Sequence, residues 1–483
     1  MLPVVRSFLG IGAGVVLILV GLSGCEFLDD MPAQTEIPDG MVRWDAHVEP
    51  LFERKCISCH SGDAAAAELR LTSWDEAIRG SEQGEAFIAY NPDKSVMLRL
   101  MTSYDRDPHP AGRNQLTEDE VGMLRRWIAD GARGSAGMTP FEDSANRMYV
   151  AHEGAPIITV VETEAEVILA RLDLTDYGFS PRARARHVAV EPDGSFWYAS
   201  ITSSRWDEPA VVAKFNRSNT LVARVHVDSP GQLLVHPTRD ELYVSVAPDI
   251  DEDGQFHRRP DQPRHLTRLR RSDLQRTDVP VIFREAFPLA LRPQQDALFS
   301  SSMEVDQMVI VDPHSTSVSF FDVRGIKHQF RHLAISPDGY WMWGSGFFSG
   351  TVTWFDIADP ARIVQRQSLF VGYDPRQIAY HPNGRLVYVA VRGSDVVQVI
   401  DQSLGYIDYE IRAAAMQEPV GAAVIKDGST LVVTAENAAA DFPGQYRFPE
   451  DPAPGMILFI DTATRRVRKA LESAPRATAL AVR

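Results

Sequence analysis

From residue 147 onward the chain alternates short apolar runs with polar turns. ARHVAVEPDGSFWYAS, GQLLVHPTRDELYVSV, FPLALRPQQDALFSSS, FRHLAISPDGYWMWGSG, PRQIAYHPNGRLVYVAV and VGAAVIKDGSTLVVTAE write one unit six times. PRATALAV at the C-terminus is a truncated seventh copy. Each unit is an apolar strand, a turn of Pro-Asp-Gly type and a second apolar strand. The copies start at Arg186, Gly231, Phe287, Arg331, Arg376, Val420 and Arg476, so the intervals are 45, 56, 44, 45, 44 and 56 residues. Two further apolar runs follow in each unit, as in VVQVIDQ and GYIDYEI. Four strands per unit at this period predict an all-β propeller. The runs RMYVAHEG, PIITVVET and VILARLDL at 147–174 supply three strands and lack a first one. PRATALAVR at 475–483 is a first strand without the other three. Pairing the N- and C-terminal strands completes a seventh blade and removes both open sheet edges.

Residues 44–136 follow a different pattern. Leu124, Trp127 and Ile128 recur at helical spacing, and Thr117 with Glu120 forms a capping-box start. The expected architecture is therefore multidomain, a small all-α domain followed by a seven-bladed propeller over 144–483. Within the helical part, CISCH sets Cys56, Cys59 and His60 at the spacing of a c-type haem attachment site. Two thiols one helical turn apart reach the two vinyl groups of a haem, and the adjacent imidazole then lies under the iron. A thioredoxin-like redox pair would need a βαβ context, which is missing. A structural zinc site would need a second pair of ligands, which is also missing.

The stretches HVEPLFERKCISCH, LRLTSWDEAIRG, NPDKSVMLRLM and HPAGRNQLTEDEVGMLRRWIADGA are similar, in order, to the cytochrome c domains of planctomycete-type proteins. The resemblance covers about residues 44–135. It implies one covalently bound haem c, with His60 as proximal iron ligand. It also bears on the distal ligand. The family has Met-Pro-Pro, a short loop and Leu-Thr or Leu-Ser. Here HPAGRNQLT puts His109 in the methionine position, while Pro110, Leu116 and Thr117 keep the frame. His109 is the expected distal ligand, Met101 and Met97 are the alternatives, and an open sixth position is the third reading. The repeats in turn resemble YVTN-type propellers over about residues 144–483, a fold that hosts enzymes, sensors and scaffolds alike.

Composition narrows the classes. There are 65 acidic against 49 basic side chains, for a net charge of −16, which argues against nucleic acid as the main partner. Hydrophobic content of 44% with 24% charged residues excludes wholesale disorder. Three cysteines exclude a disulfide scaffold, and two belong to CISCH. The third, Cys25, ends LSGC after Arg6 and the uncharged run FLGIGAGVVLILVGL at 8–22. That order describes a secretory signal over 1–24. LSGC resembles the bacterial lipobox, which implies a lipid anchor on Cys25 and a polar tether over 25–43. An uncleaved membrane helix over 7–25 is the alternative. Either way the remainder is expected to be exported, at the periplasmic face of a membrane or at the cell surface. Glu26 leans the anchored form toward the outer membrane.

Two groups in the propeller call for chemistry. The starting register holds Arg186, Arg331, Arg376 and Arg476, and His187 and His332 follow two of them. With the first strand innermost, they would ring the funnel mouth. The repeat places no acid in that register, so a small anion is expected among the guanidinium forks. Structural hydrogen bonding between blades is the competing reading. The first long interval contains DIDEDG, in which Asp249, Asp251 and Asp253 resemble the start of a calcium loop; Pro260 stands where the twelfth-position acid belongs. A solvated acidic loop is the plainer reading. The same insertion then turns arginine-rich, a docking patch for an acidic redox partner protein. The second insertion, NAAADFPGQYRFPEDPAPG, shows no nameable chemistry. Three functions follow. One is a membrane-anchored electron-transfer cytochrome c with the propeller as platform. Another is a haem-dependent oxidoreductase whose funnel binds a small anionic substrate or second cofactor. The last is a surface-anchored binding protein.

Overall fold

The computed structural model describes residues 40–102, 109–110, 112–203, 208–247, 264–292, 294, 296–315, 317–325, 327–446 and 451–483. Cys25 with the signal region, and the calcium candidates Asp249, Asp251 and Asp253, lie outside these residues. Among the described residues, a small helical region precedes seven four-stranded antiparallel sheets.

A π-turn at Trp44–Val48 runs into α1 (Glu49–Lys55), followed by α2 (Trp74–Ala77), α3 (Val96–Thr102) and α4 (Glu118–Ala129). The capping box closes as expected. The Thr117 hydroxyl accepts the Glu120 N–H at 3.2 Å, and the Glu120 carboxylate accepts the Thr117 N–H at 2.9 Å. Such a cap contributes about 1 kcal/mol. Leu124, Trp127 and Ile128 are fully buried on one face of α4. Trp127 packs against Trp44 and Phe87, with ring centres 5.7 and 4.8 Å apart. Residues that bury aromatics on this scale stabilise a domain too small to hold a large aliphatic core.

In the propeller, Ala183–Val190, Pro230–Val235, Ala286–Arg292, Phe330–Ile335, Pro375–Tyr380, Pro419–Ile425 and Ala477–Val482 are the first strands of blades one to seven. They neighbour one another around the axis. Each opens a hairpin whose turn is set locally. Asp193, Asp338 and Asn383 each accept an N–H two residues on with a side-chain oxygen. Gly194, Gly339 and Gly384 then take left-handed φ values of 70, 77 and 71°, which explains the glycine in the repeat. In the first six blades the starting register falls at a break in the ladder, for example between Ala185 and His187 or between Pro375 and Ile378. Such a bulge re-aims side chains out of the pleat.

The ring closes through both ends of the repeat region. Met148, Tyr149 and Val150 pair with Val482, Ala481 and Leu480, and Ile157–Glu162 and Val167–Asp173 complete that blade. Neither end of the sheet series is left as an inner edge, which is the physical reason for splitting a blade between the termini.

Candidate functional site

α1 delivers the chain into the Cys-x-x-Cys-His segment without a break. The Cys56 N–H bonds the Phe52 carbonyl at 2.8 Å, and the His60 N–H bonds the Cys56 carbonyl at 3.0 Å. The segment is thus one helical turn, and both thiols are free. Cys56 is only 7% exposed, and burial pushes its thiol up to about 11. Cys59 is exposed. His60 is buried, and its Nδ1–H donates to the Leu69 carbonyl at 3.2 Å. That bond fixes the tautomer and leaves Nε2 with a lone pair for a metal.

His109 lies opposite. The rings of His60 and His109 have centres 5.9 Å apart and planes at 71°. Two metal–imidazole bonds of about 2 Å, with about 1 Å from each nitrogen to its ring centre, would put the centres about 6 Å apart. Partial burial and the nearby His60 lower the pKa of His109, which favours the neutral, ligating imidazole. Of the alternatives, Met97 is buried in the helical core and Met101 packs against that core. The donor set and its spacing therefore fit a haem c, with Cys56 in the apolar core, Cys59 at the surface and two imidazole rings with centres 5.9 Å apart. Among the described residues, no three His, Cys, Asp or Glu side chains cluster as a separate metal site.

Residues 56–109 match the Planctomycete cytochrome C family. The match ends on His109 and covers the Cys-x-x-Cys-His turn, which suggests haem c as the cofactor. No curated protein matches the chain. The propeller has structural likenesses that show the fold alone. A functionally unknown protein from Desulfotomaculum acetoxidans aligns with a TM-score of 0.54 at 13% identity, over 70% of this chain and 99% of that one. A protein provisionally described as a 6-phosphogluconolactonase from Bacteroides uniformis aligns with a TM-score of 0.50 at 12% identity, over 70% of this chain and all of that one. Hydrazine synthase of Kuenenia stuttgartiensis aligns with a TM-score of 0.48 at 14% identity, over 64% of this chain and 90% of that one.

The funnel mouth departs from the expected ring of unaccompanied cations. His187 and His332 are hydrogen-bond acceptors between blades. His187 Nδ1 accepts the Leu233 N–H at 3.3 Å, and His332 Nδ1 accepts the Ile378 N–H at 3.2 Å. Burial lowers their pKa values to about 4 and about 3, so both rings are neutral near pH 7. They are removed from the set of candidate cationic anion ligands. Gln232 and Gln377 fill the same slot and do the same work, accepting the N–H groups of Leu289 and Ala422 at 2.8 and 3.2 Å.

The arginines also have company. Arg376 pairs with Asp374 at 2.6 Å, and Arg476 lies 3.7 Å from Glu153 and 3.6 Å from Glu436. Arg392, absent from the sequence reading, bonds Glu418 at 2.6 Å and Glu436 at 3.0 Å. Arg186 donates to the Thr202 hydroxyl at 3.1 Å. Arg331 lies over the Phe347 ring at 4.6 Å. The expectation of no acid beside these cations failed because it used one register. Two residues upstream of that register, the units starting at Arg376 and Val420 carry Asp374 and Glu418, at left-handed φ values of 53 and 55°. Glu153 and Glu436 share one further slot of the repeat, directly after the second strands Arg147–His152 and Thr430–Ala435, which the reading of the starting register left aside.

A second cavity was not anticipated. A cleft of about 1820 Å³ opens where the helical region meets the closing blade. Val96 and Arg99 of α3 line it from one side, and Arg171, Tyr446 and Glu472 from the other.

Proposed function

We propose that this chain is an exported, lipid-anchored c-type cytochrome that passes electrons through one haem, with the propeller as its platform. The observation that carries the reading is the Cys-x-x-Cys-His turn whose imidazole faces a second imidazole at 5.9 Å. Cys56 and Cys59 would hold the haem by thioethers. His60 and His109 would hold the iron through their imidazole nitrogens. A bound haem supplies reversible one-electron exchange. The chain's own part is orientation and exclusion of water. The Leu69 carbonyl holds His60 in one tautomer. Phe52, Phe87, Leu98 and Trp127 keep the surrounding core dry. Two imidazoles, His60 and His109, would hold the iron, and that pair would favour carriage of electrons over binding of a substrate at the haem. Attachment rests on Cys25 and the apolar leader before it. The arginine-rich part of the first insertion would meet an acidic redox partner.

The purified protein tests this directly. Cys56→Ala with Cys59→Ala is expected to yield a folded propeller carrying no acid-acetone-resistant haem. Normal covalent haem in that variant would defeat the reading. The axial set has its own test. The wild-type ferric spectrum should lack a methionine-to-iron charge-transfer band, and His109→Met should create one and raise the midpoint potential. A band already present in the wild type would assign Met101 or Met97 instead.

A further inference from the structure

The cleft of about 1820 Å³ between the helical region and the closing blade lies outside the residues assigned to the haem. We propose that it binds an uncharged oligosaccharide, which stacks one sugar ring on Tyr90 and hydrogen-bonds Arg171. Pockets that hold a single small molecule measure roughly 300–1,000 Å³, so this space suits a chain of several sugar rings. Tyr90 is an exposed ring that is held still. It is 59% exposed, yet three contacts fix it. Its N–H bonds the Ile128 carbonyl at 2.8 Å, and its hydroxyl accepts from Arg133 at 3.1 Å. A methyl group on Gly131 would come within 2.7 Å of it. Its backbone takes a left-handed φ of 64°, a costly conformation for a bulky side chain. The fold thus sets an open aromatic face in place before any ligand arrives. The electron-rich face of such a ring attracts the C–H groups that cover one face of a pyranose. Tyr446 and Tyr177 line the same cleft, with their hydroxyls bonded to Gln83 and, at 2.9 Å, to the Asn219 carbonyl.

The polar groups set the charge of the ligand. Arg171 stands on the outermost strand of the closing blade, Val167–Asp173. Among the described residues one hydrogen bond holds it, from Nη2 to the Glu472 carbonyl at 2.8 Å, and its Nε is unpartnered. The side chain is partly exposed on the cleft wall, where ligand oxygens reach its remaining donors. Glu85 and Glu472 line the same cleft. A guanidinium only donates and a carboxylate only accepts, whereas a sugar hydroxyl does both and bridges the two kinds of group. Arg99 and Lys94 are already paired with Asp451, at 2.7 and 3.2 Å. With both signs on its walls, the cleft repels part of any strongly charged ligand and no part of an uncharged one.

Calorimetric titration of the full-length, haem-loaded protein tests the assignment. The probes are cellopentaose, xylopentaose, maltopentaose and chitopentaose, beside glucose and tetragalacturonate. At least one neutral pentasaccharide should bind at one site per chain, about tenfold tighter than glucose or more. Tyr90→Ala should weaken that binding about tenfold or more, while Tyr90→Phe keeps the ring and should stay within about threefold. Arg171→Lys keeps the charge, loses the planar fork and should weaken binding about tenfold. The haem spectrum should not change in any of these variants, so failure here leaves the haem assignment standing. No heat from any of the four pentasaccharides at millimolar concentration would overturn the proposal. So would undiminished binding by both Tyr90→Ala and Arg171→Lys. Tighter binding of tetragalacturonate than of every neutral chain would overturn the choice of an uncharged ligand. Displacement of the bound sugar by a tryptic digest of casein would give the cleft to peptides instead.

Discussion

His332 and Gln377 occupy one slot of adjacent blades and make one bond, a side-chain acceptor to the next blade's backbone N–H. Such a bond contributes about 1 kcal/mol, and leaving that N–H buried and unpaired costs more. The difference between the two residues is the proton. His187 and His332 are bases whose folded pKa values, about 4 and about 3, lie below the usual value of 6.5. The folded state therefore binds fewer protons than the unfolded chain. Stability is fully present above pH 6.5 and falls as pH drops below it, toward 4 for His187 and 3 for His332. The slope approaches about 1.4 kcal/mol per pH unit for each proton involved. His332→Gln should keep the bond and remove one proton's share of this slope. Urea denaturation at pH 7 and pH 4.5 checks it: the variant should lose less stability between the two than the wild type. An unchanged difference would mean that His332 is charged in the fold. The slot itself was legible in the sequence as a recurring polar position. Bonding between blades was one of the two readings the slot allowed, and His187 and His332 follow it; the letter alone could not choose, because a neutral acceptor and a cationic ligand are written the same way.

Among the elements, the closing strand is the most exposed to damage. Leu480 is 4% exposed and packs in a cluster with Met148, Val150 and Ile425, so one side chain joins three stretches of chain far apart in sequence. Leu480→Ala should cost about 2–4 kcal/mol, as expected when a buried leucine leaves a cavity. Val222, in the outermost strand Leu221–His226, is 52% exposed, and Val222→Ala should stay within about 0.5 kcal/mol. Thermal or denaturant unfolding of the two variants measures the contrast. Equal effects would place the closing strand outside the cooperative unit. Strand periodicity forecast this closure because apolar alternation is a local property that a strand carries with it. Inner-strand bulges were invisible, since an extra residue in a ladder changes pairing but not the hydrophobic pattern.

At the scale of the molecule, the helical region is locked onto the propeller. Ile88 is fully buried in the cluster that contains Met148, Val161, Ile168 and Leu471. The Glu85 carboxylate accepts the Ile168 N–H at 3.1 Å and attracts Arg171 across the boundary. Burial weakens both charges, and each offsets part of the other's desolvation. The second insertion supplies the clamp: Asp451 pairs with Arg99 at 2.7 Å and with Lys94 at 3.2 Å, and the Tyr446 hydroxyl bonds Gln83. The segment that carried no nameable chemistry thus positions the helical region, and α3 lies between the apolar core that contains Cys56 and the cleft beside the closing blade. By itself the sequence determined the seven-fold repeat, the turns and the pairing of the terminal strands. It also determined the Cys56-x-x-Cys59-His60 turn, because each of these follows from residues close together in the chain. Only the tertiary structure decided how close His109 comes to His60, that Glu418 and Glu436 meet the arginines of other blades and Glu153 meets Arg476, and that Asp451 reaches α3. Those meetings depend on where closed rings and long loops carry residues that no local pattern connects.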